Sequence, residues 1–145
     1  GCRANGVGSC CADCAAGKFK TATGQTSDTC DDCGSGKFKA ATGQTSCDDC
    51  GSGKYKNATG QASCDDCAAG KFSPSSGATF EATCTGCSQG KFSSSTGLSS
   101  DADCTHCGIG KYSTAIGASD ETTCTDCSAG KYTTTSGTGN VGCQK

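Results

Sequence analysis

The chain has 145 residues and a formal charge of −2 from 12 basic and 14 acidic side chains, with 17 cysteines, 23 glycines and neither Met nor Trp. Charges of both signs run along its whole length, so no electrostatic argument favours nucleic acid or an anionic membrane as a partner. No apolar run is long enough to span a bilayer, and no charged-then-apolar leader opens the sequence.

The large apolar side chains are five Phe, three Tyr, two Val, two Ile and one Leu. Thirteen such groups are too few to hold 145 residues in an ordinary core, and the cysteines are the available substitute. Without Met at position 1, the chain reads as a secreted product after processing or as a fragment of something longer, and secretion to an extracellular surface is the expected localisation.

In chain order, residues 1–13 hold Cys2, Cys10 and Cys11 and lack the pattern that follows, so they read as a divergent leading unit. From Cys14 onward seven units obey C-x2-G-K-[FY]-x4-G: 14–32, 33–49, 50–66, 67–86, 87–106, 107–126 and 127–145. The motif lysines are Lys18, Lys37, Lys54, Lys71, Lys91, Lys111 and Lys131. The aromatics that follow them are Phe19, Phe38, Tyr55, Phe72, Phe92, Tyr112 and Tyr132. Each closing cysteine except the last begins a C-x2-C pair whose second member opens the next unit. Between the second glycine and the closing cysteine the spacing varies from four to seven residues, which places insertions in one half of each loop, facing solvent.

A unit this small cannot bury a face alone, so stacked units that each touch only their neighbours are predicted, giving an elongated rod. Within a unit, G-K-[FY]-x reads as a short strand, x4-G as a turn whose glycine favours positive φ, and the return as a second strand or irregular segment. The expected fold class is therefore small, disulfide-rich, mostly irregular or β, with essentially no helix.

The cysteines admit three chemistries. Cys30, Cys33, Cys47 and Cys50 have C-x2-C-x13-C-x2-C spacing, close to a four-thiolate zinc ribbon, but seven pairs cannot be divided into quartets. A redox dithiol needs a helix N-terminus to activate it, and no βαβ pattern surrounds any pair. The favoured reading is a ladder closing each unit on itself: Cys14–Cys30, Cys33–Cys47, Cys50–Cys64, Cys67–Cys84, Cys87–Cys104, Cys107–Cys124 and Cys127–Cys143. Each bond is worth about 3 kcal/mol in the chain-entropy account. The remaining three cysteines leave Cys2–Cys11 as a pair and Cys10 as an odd thiol, available to another chain or to a cysteine outside this sequence. No cofactor is expected, and zinc is disfavoured.

C-x2-G-K-[FY], the glycine loop and C-x2-C resemble the cysteine-rich repeats of ephrin-receptor-like and growth-factor-receptor-like extracellular segments, and the first loop module of tumour-necrosis-factor receptors. Tandem arrays of this kind are similar to those of algal and protist surface proteins, including flagellar hair (mastigoneme) and coat proteins. The resemblance runs from about Cys11 to Cys143 and implies the same bond across the Gly-Lys-aromatic loop. The second, more elaborate loop module on which receptor ligand binding depends is missing.

Recurring side chains have structural readings beside functional ones. The lysines are read as covering a neighbouring aromatic or disulfide with their stems. Asp13, Asp32, Asp49, Asp66 and Asp126 precede the second cysteine of their pairs, where a carboxylate accepts a backbone N–H in a tight turn or pairs with the lysine five residues on. One or two carboxylates per unit are too few for calcium. His106, the only histidine, replaces Asp at that position and reads as a surface turn residue. The aromatics read as the seam between units, with a carbohydrate-stacking row as the sharper alternative. Asn57-Ala58-Thr59 is the one N-glycosylation sequon, and Ser73, Ser75, Ser76, Ser93, Ser94, Ser95, Thr96, Thr133, Thr134 and Thr135 are candidate O-glycan acceptors. The functional expectation is a non-enzymatic extracellular structural glycoprotein that self-associates into a filament, hair or coat. The runner-up is the stalk of a receptor or adhesin binding a protein or carbohydrate.

Overall fold

The computed structural model describes residues 14–21, 29–137 and 143–145. Its regular structure is six two-residue antiparallel hairpins: β1 (Lys18–Phe19) with β2 (Asp31–Asp32), β3 (Lys37–Phe38) with β4 (Asp48–Asp49), β5 (Lys54–Tyr55) with β6 (Asp65–Asp66), β7 (Lys71–Phe72) with β8 (Thr85–Gly86), β9 (Lys91–Phe92) with β10 (Thr105–His106), and β11 (Lys111–Tyr112) with β12 (Thr125–Asp126). Tyr132 bridges Gln144 in the last unit. The partner of each Gly-Lys-aromatic strand is therefore the residue pair between the two cysteines of the closing C-x2-C, and not the Ser/Thr-rich return.

The local chemistry explains why the strand starts where it does. The Lys54 N–H donates to the Gly51 carbonyl (3.1 Å) across a four-residue turn whose third residue, Gly53, has φ +78°. That is the type II pattern, which only glycine enters without strain. The same turn recurs from Lys18 to Ala15 through Lys131 to Ser128. A two-residue hairpin does not stand alone in water, so the disulfide and the next unit must hold it.

Seven disulfides do the first job: Cys14–Cys30, Cys33–Cys47, Cys50–Cys64, Cys67–Cys84, Cys87–Cys104, Cys107–Cys124 and Cys127–Cys143. Their sulfurs are also the core. Cys33, Cys50, Cys67, Cys87 and Cys107 have no exposed surface, whereas the motif aromatics of the first six units are only half-buried. The zinc quartet of the sequence is split among three of these bonds. Cys2, Cys10 and Cys11 lie outside the described residues.

Backbone hydrogen bonds do the second job. Between the third and fourth units, Gly53 N–H donates to the Ser73 carbonyl (2.7 Å), Lys56 N–H to Ala78 (3.0 Å), and Gly77 N–H to Cys50 (2.7 Å). The same three bonds, shifted by one unit, form each of the first five seams, and Tyr55–Ala78, Phe72–Leu98 and Phe92–Ala118 are parallel bridges within them. At the sixth seam the Thr133 hydroxyl replaces the carbonyl, accepting from Gly110 N–H at 2.6 Å.

Units also touch beyond their immediate neighbours, which corrects the nearest-neighbour expectation. Cys33 N–H donates to Gly17 of the first unit while the Cys33 carbonyl accepts from Gly60 of the third, so one residue clamps three units. A Cβ on Gly17 would fall inside the Gly60 carbonyl; Gly36, Gly53 and Gly70 meet Gly77, Gly97 and Gly117 in the same way. The motif glycine is thus required twice over, by its φ and by the backbone pressed against it.

The result is a disulfide-rich, mostly-β rod. Its only helical turns among the described residues are three single 3-10 turns, Glu81–Thr83, Asp101–Asp103 and Glu121–Thr123. They lie in the long returns of the fourth, fifth and sixth units, the half of the loop where the sequence tolerates insertion, and none buries a residue.

Candidate functional surface

Two strips of the rod carry side chains that recur at every unit. The first is a ladder of ion pairs. The hairpin register sets Lys37 opposite Asp49 and Lys54 opposite Asp66, and the ammonium groups reach those carboxylates, as Lys18 reaches Asp32 (2.6 Å) and Lys111 reaches Asp126 (2.7 Å). The aspartates before the second cysteine therefore sit in strands, and they pair with the lysine of the unit they close. This corrects the expected tight turn and the expected pairing with the lysine five residues on. Asp13 lies outside the described residues.

In the fourth and fifth units, where that aspartate is missing, another acid replaces it. Gly86 and His106 stand opposite Lys71 and Lys91, and each lysine turns to the 3-10 turn of its own return: Lys71 to Glu81 (3.1 Å), Lys91 to Asp101 (2.6 Å). His106 is exposed in strand β10, not in a turn. Burial works against ionisation of Asp101, but the Lys91 ammonium and the Ser88 N–H hold its carboxyl below the usual value. The Thr122 N–H does the same for Asp120, and the Asp126 carboxylate raises Lys111. Most of these pairs are well exposed and individually worth about 0–1 kcal/mol. Lys39 and Lys56 differ: their side chains are only 15% and 12% exposed, the stems lying along the rod while the ammonium groups reach Asp48 and Asp65.

The second strip is the row of x4 turns. Alternation along the strand turns the residue after the aromatic inward and the next one outward. Ser73, Ser93 and Thr133 are 0%, 5% and 4% exposed, so these three candidate glycan acceptors are withdrawn: no transferase reaches a hydroxyl packed under the neighbouring unit. Ser93 Oγ is spent accepting from the Ser95 N–H (3.2 Å). Ser75, Ser76, Ser94, Ser95, Thr96, Thr134 and Thr135 are exposed, as are Asn57, Ala58 and Thr59. Thr114, which sequence reasoning passed over, is exposed at the same step, while Ser113 before it is buried; its equivalence in the repeat to Ser94 and Thr134 was the signal that would have found it.

The aromatics take part in the seams through their backbone and are half-buried in the first six units. Among the described residues no group of three or more His, Cys, Asp and Glu side chains is arranged to hold a metal ion, and no helix is long and apolar enough to cross a membrane.

This geometry is a repeated hairpin with one disulfide to each unit. Residues 39–84 match the family model of the tyrosine-protein kinase ephrin type A/B receptor-like module. The match begins in the second unit, takes in the whole of the third, and stops at the closing cysteine of the fourth. No curated protein matches the chain. The ephrin-receptor-like match and the density of disulfides together point to an extracellular cysteine-rich domain.

Proposed function

We propose that this chain is a non-enzymatic structural element outside the cell, a covalently laddered rod that forms or coats a filament, hair or surface layer by self-association and carries glycans on its exposed turns. The observation that supports this reading is the bond in every unit. Seven consecutive units are each closed by their own disulfide, and the first five seams between them are made by main chain, which leaves the variable side chains outside the load path there. Such a rod resists proteolysis and extension without a thick apolar core. A second reading, the stalk of a receptor or adhesin, draws support from the ephrin-receptor-like match at residues 39–84.

Small-angle scattering with limited proteolysis in the presence and absence of reductant tests the rod. An extended particle that resists protease when oxidised and collapses on reduction is expected; a compact particle, or resistance indifferent to reductant, refutes the reading. Intact mass above 14.2 kDa from the native source reports the glycans.

A further inference from the structure

In each of the first three units the aspartate before the second cysteine turns an oxygen toward the turn glycine two units on. A Cβ built on Gly60 would fall 2.8 Å from Asp32 Oδ1, one on Gly97 3.0 Å from Asp66 Oδ1, and one on Gly77 3.6 Å from Asp49 Oδ1. Glycine carries a hydrogen in that direction, so the carboxylate receives a weak C–H contact from each turn. In the fifth unit His106 holds this position, and a Cβ on Gly137 of the seventh unit would fall on its Nδ1. The ring nitrogen stands in for the carboxylate oxygen.

The two acceptors lose their lone pairs at different pH. An ionised aspartate goes on accepting down to about pH 4, whereas imidazole takes its second proton within about pH 5 to 8. Imidazolium carries hydrogen on both nitrogens, so an Nδ1–H would be driven against the Gly137 C–H, and the ring must leave the turn. The charged groups of the surrounding elements offer it no relief. Lys91 stands directly opposite in the hairpin, with its ammonium on Asp101 at 2.6 Å. Asp103 is engaged by the Ser99 and Ser100 N–H groups. In the sixth unit Lys111 and Asp126 hold each other at 2.7 Å, and the turn from Thr133 to Gly137 carries no charge.

The seam beneath this contact is built differently from the rest. Gly137 N–H donates to the Cys107 carbonyl at 3.0 Å, where Gly43, Gly60, Gly77, Gly97 and Gly117 make the same bond at 2.7 or 2.8 Å. Gly110 N–H has a hydroxyl as its acceptor in place of a carbonyl.

We propose that His106 is an acid-sensitive latch on the joint between the sixth and seventh units. The neutral ring holds the Gly137 turn in place, and protonation releases it, loosening the Gly137–Cys107 bond while the seams served by aspartate stay closed. The Cys127–Cys143 bond is not involved, so the seventh unit stays closed on itself and only the joint gives.

The test is a magnetic-resonance titration of the oxidised, isotope-labelled 145-residue chain from about pH 8 to about pH 5. At the alkaline end the His106 ring is expected with hydrogen on Nε2 alone. As it protonates, the Gly137 amide is expected to shift with the same midpoint and, corrected for the intrinsic effect of pH, to exchange at least about tenfold faster. The amides of Gly60, Gly77 and Gly97 are expected to hold. His106→Asp, which restores the side chain of the first three units, and His106→Gln, which cannot take the proton, are each expected to remove the step, with peptide mapping of Cys107–Cys124 and Cys127–Cys143 showing that the units still close. Hydrogen on Nδ1 at the alkaline end, a Gly137 amide indifferent to the His106 titration, or a step that survives in either variant would overturn the proposal.

Discussion

Replacing Gly53 by Ala tests the contact between units two apart, and the structure supplies its own controls. Gly53 has φ +78°, and a Cβ there would strike the Gly97 carbonyl and lie 2.9 Å from the Leu98 oxygen. Gly110 has φ +80° but open space where the Cβ would go, and Gly51 has neither the positive φ nor a neighbour. Left-handed backbone costs an L-residue about 1–2 kcal/mol, and forcing a methyl against fixed main chain adds about 1–3 kcal/mol. Gly51→Ala should therefore lie within about 0.5 kcal/mol of the parent, Gly110→Ala about 1–2 below it, and Gly53→Ala about 2–5 below it. Denaturant unfolding with the disulfides intact, followed by the fluorescence of the three tyrosines and by amide exchange around Cys67, orders the three. If Gly53→Ala is no worse than Gly110→Ala, the third unit does not press on the fifth, and the three-unit clamp is wrong.

Removing one rung by Cys67→Ala with Cys84→Ala should lower stability by about 3 kcal/mol and leave the flanking rungs formed, as peptide mapping would show; scrambling of the neighbours would contradict independent closure. Limiting reductant followed by alkylation should label Cys127 and Cys143, both partly exposed, before Cys87 and Cys104, both buried. Because the carboxyl of Asp101 is depressed when folded, its contribution is complete above the ordinary carboxylate value of about 3.9 and is lost as pH falls through the folded value. Asp101→Asn should remove that portion of the acid unfolding profile, while Asp126→Asn should remove the alkaline component in which raised Lys111 contributes below about pH 10.4 and loses its contribution as pH climbs through the folded value.

Much of this was legible because the repeat makes the chain its own alignment. The recurrence of C-x2-G-K-[FY]-x4-G sets where each loop opens and closes, and the second glycine advertises its positive φ, found at Gly43 through Gly137. The other half of the hairpin was illegible for a physical reason. A two-residue strand has no periodicity to read, so nothing in Asp48-Asp49 or Thr105-His106 marks them as the partners of Lys37-Phe38 and Lys91-Phe92. They look like spacers between cysteines, and only the register shows that the lysine reaches the acid ahead of it, at the close of its own unit, instead of the one five residues behind.

The motif glycine hid its second role for a similar reason. Its φ is a local property that a turn pattern suggests, but its approach to a carbonyl two units away is set by the rise of the stack, which no single unit encodes. The same rise decides which hydroxyls face out: Ser73 and Ser75 are equivalent in composition, and only the neighbour lying over Ser73 separates them. The substitutions at Gly86 and His106 argue that the charge ladder matters to the fold beyond any one pair. A chain indifferent to these lysines would leave Lys71 and Lys91 bare once the opposite aspartate is absent, yet both returns supply an acid from a 3-10 turn at the right height. Each such pair is weak at the surface, but it holds the strand edge polar on a rod whose backbone would otherwise invite pairing along its side.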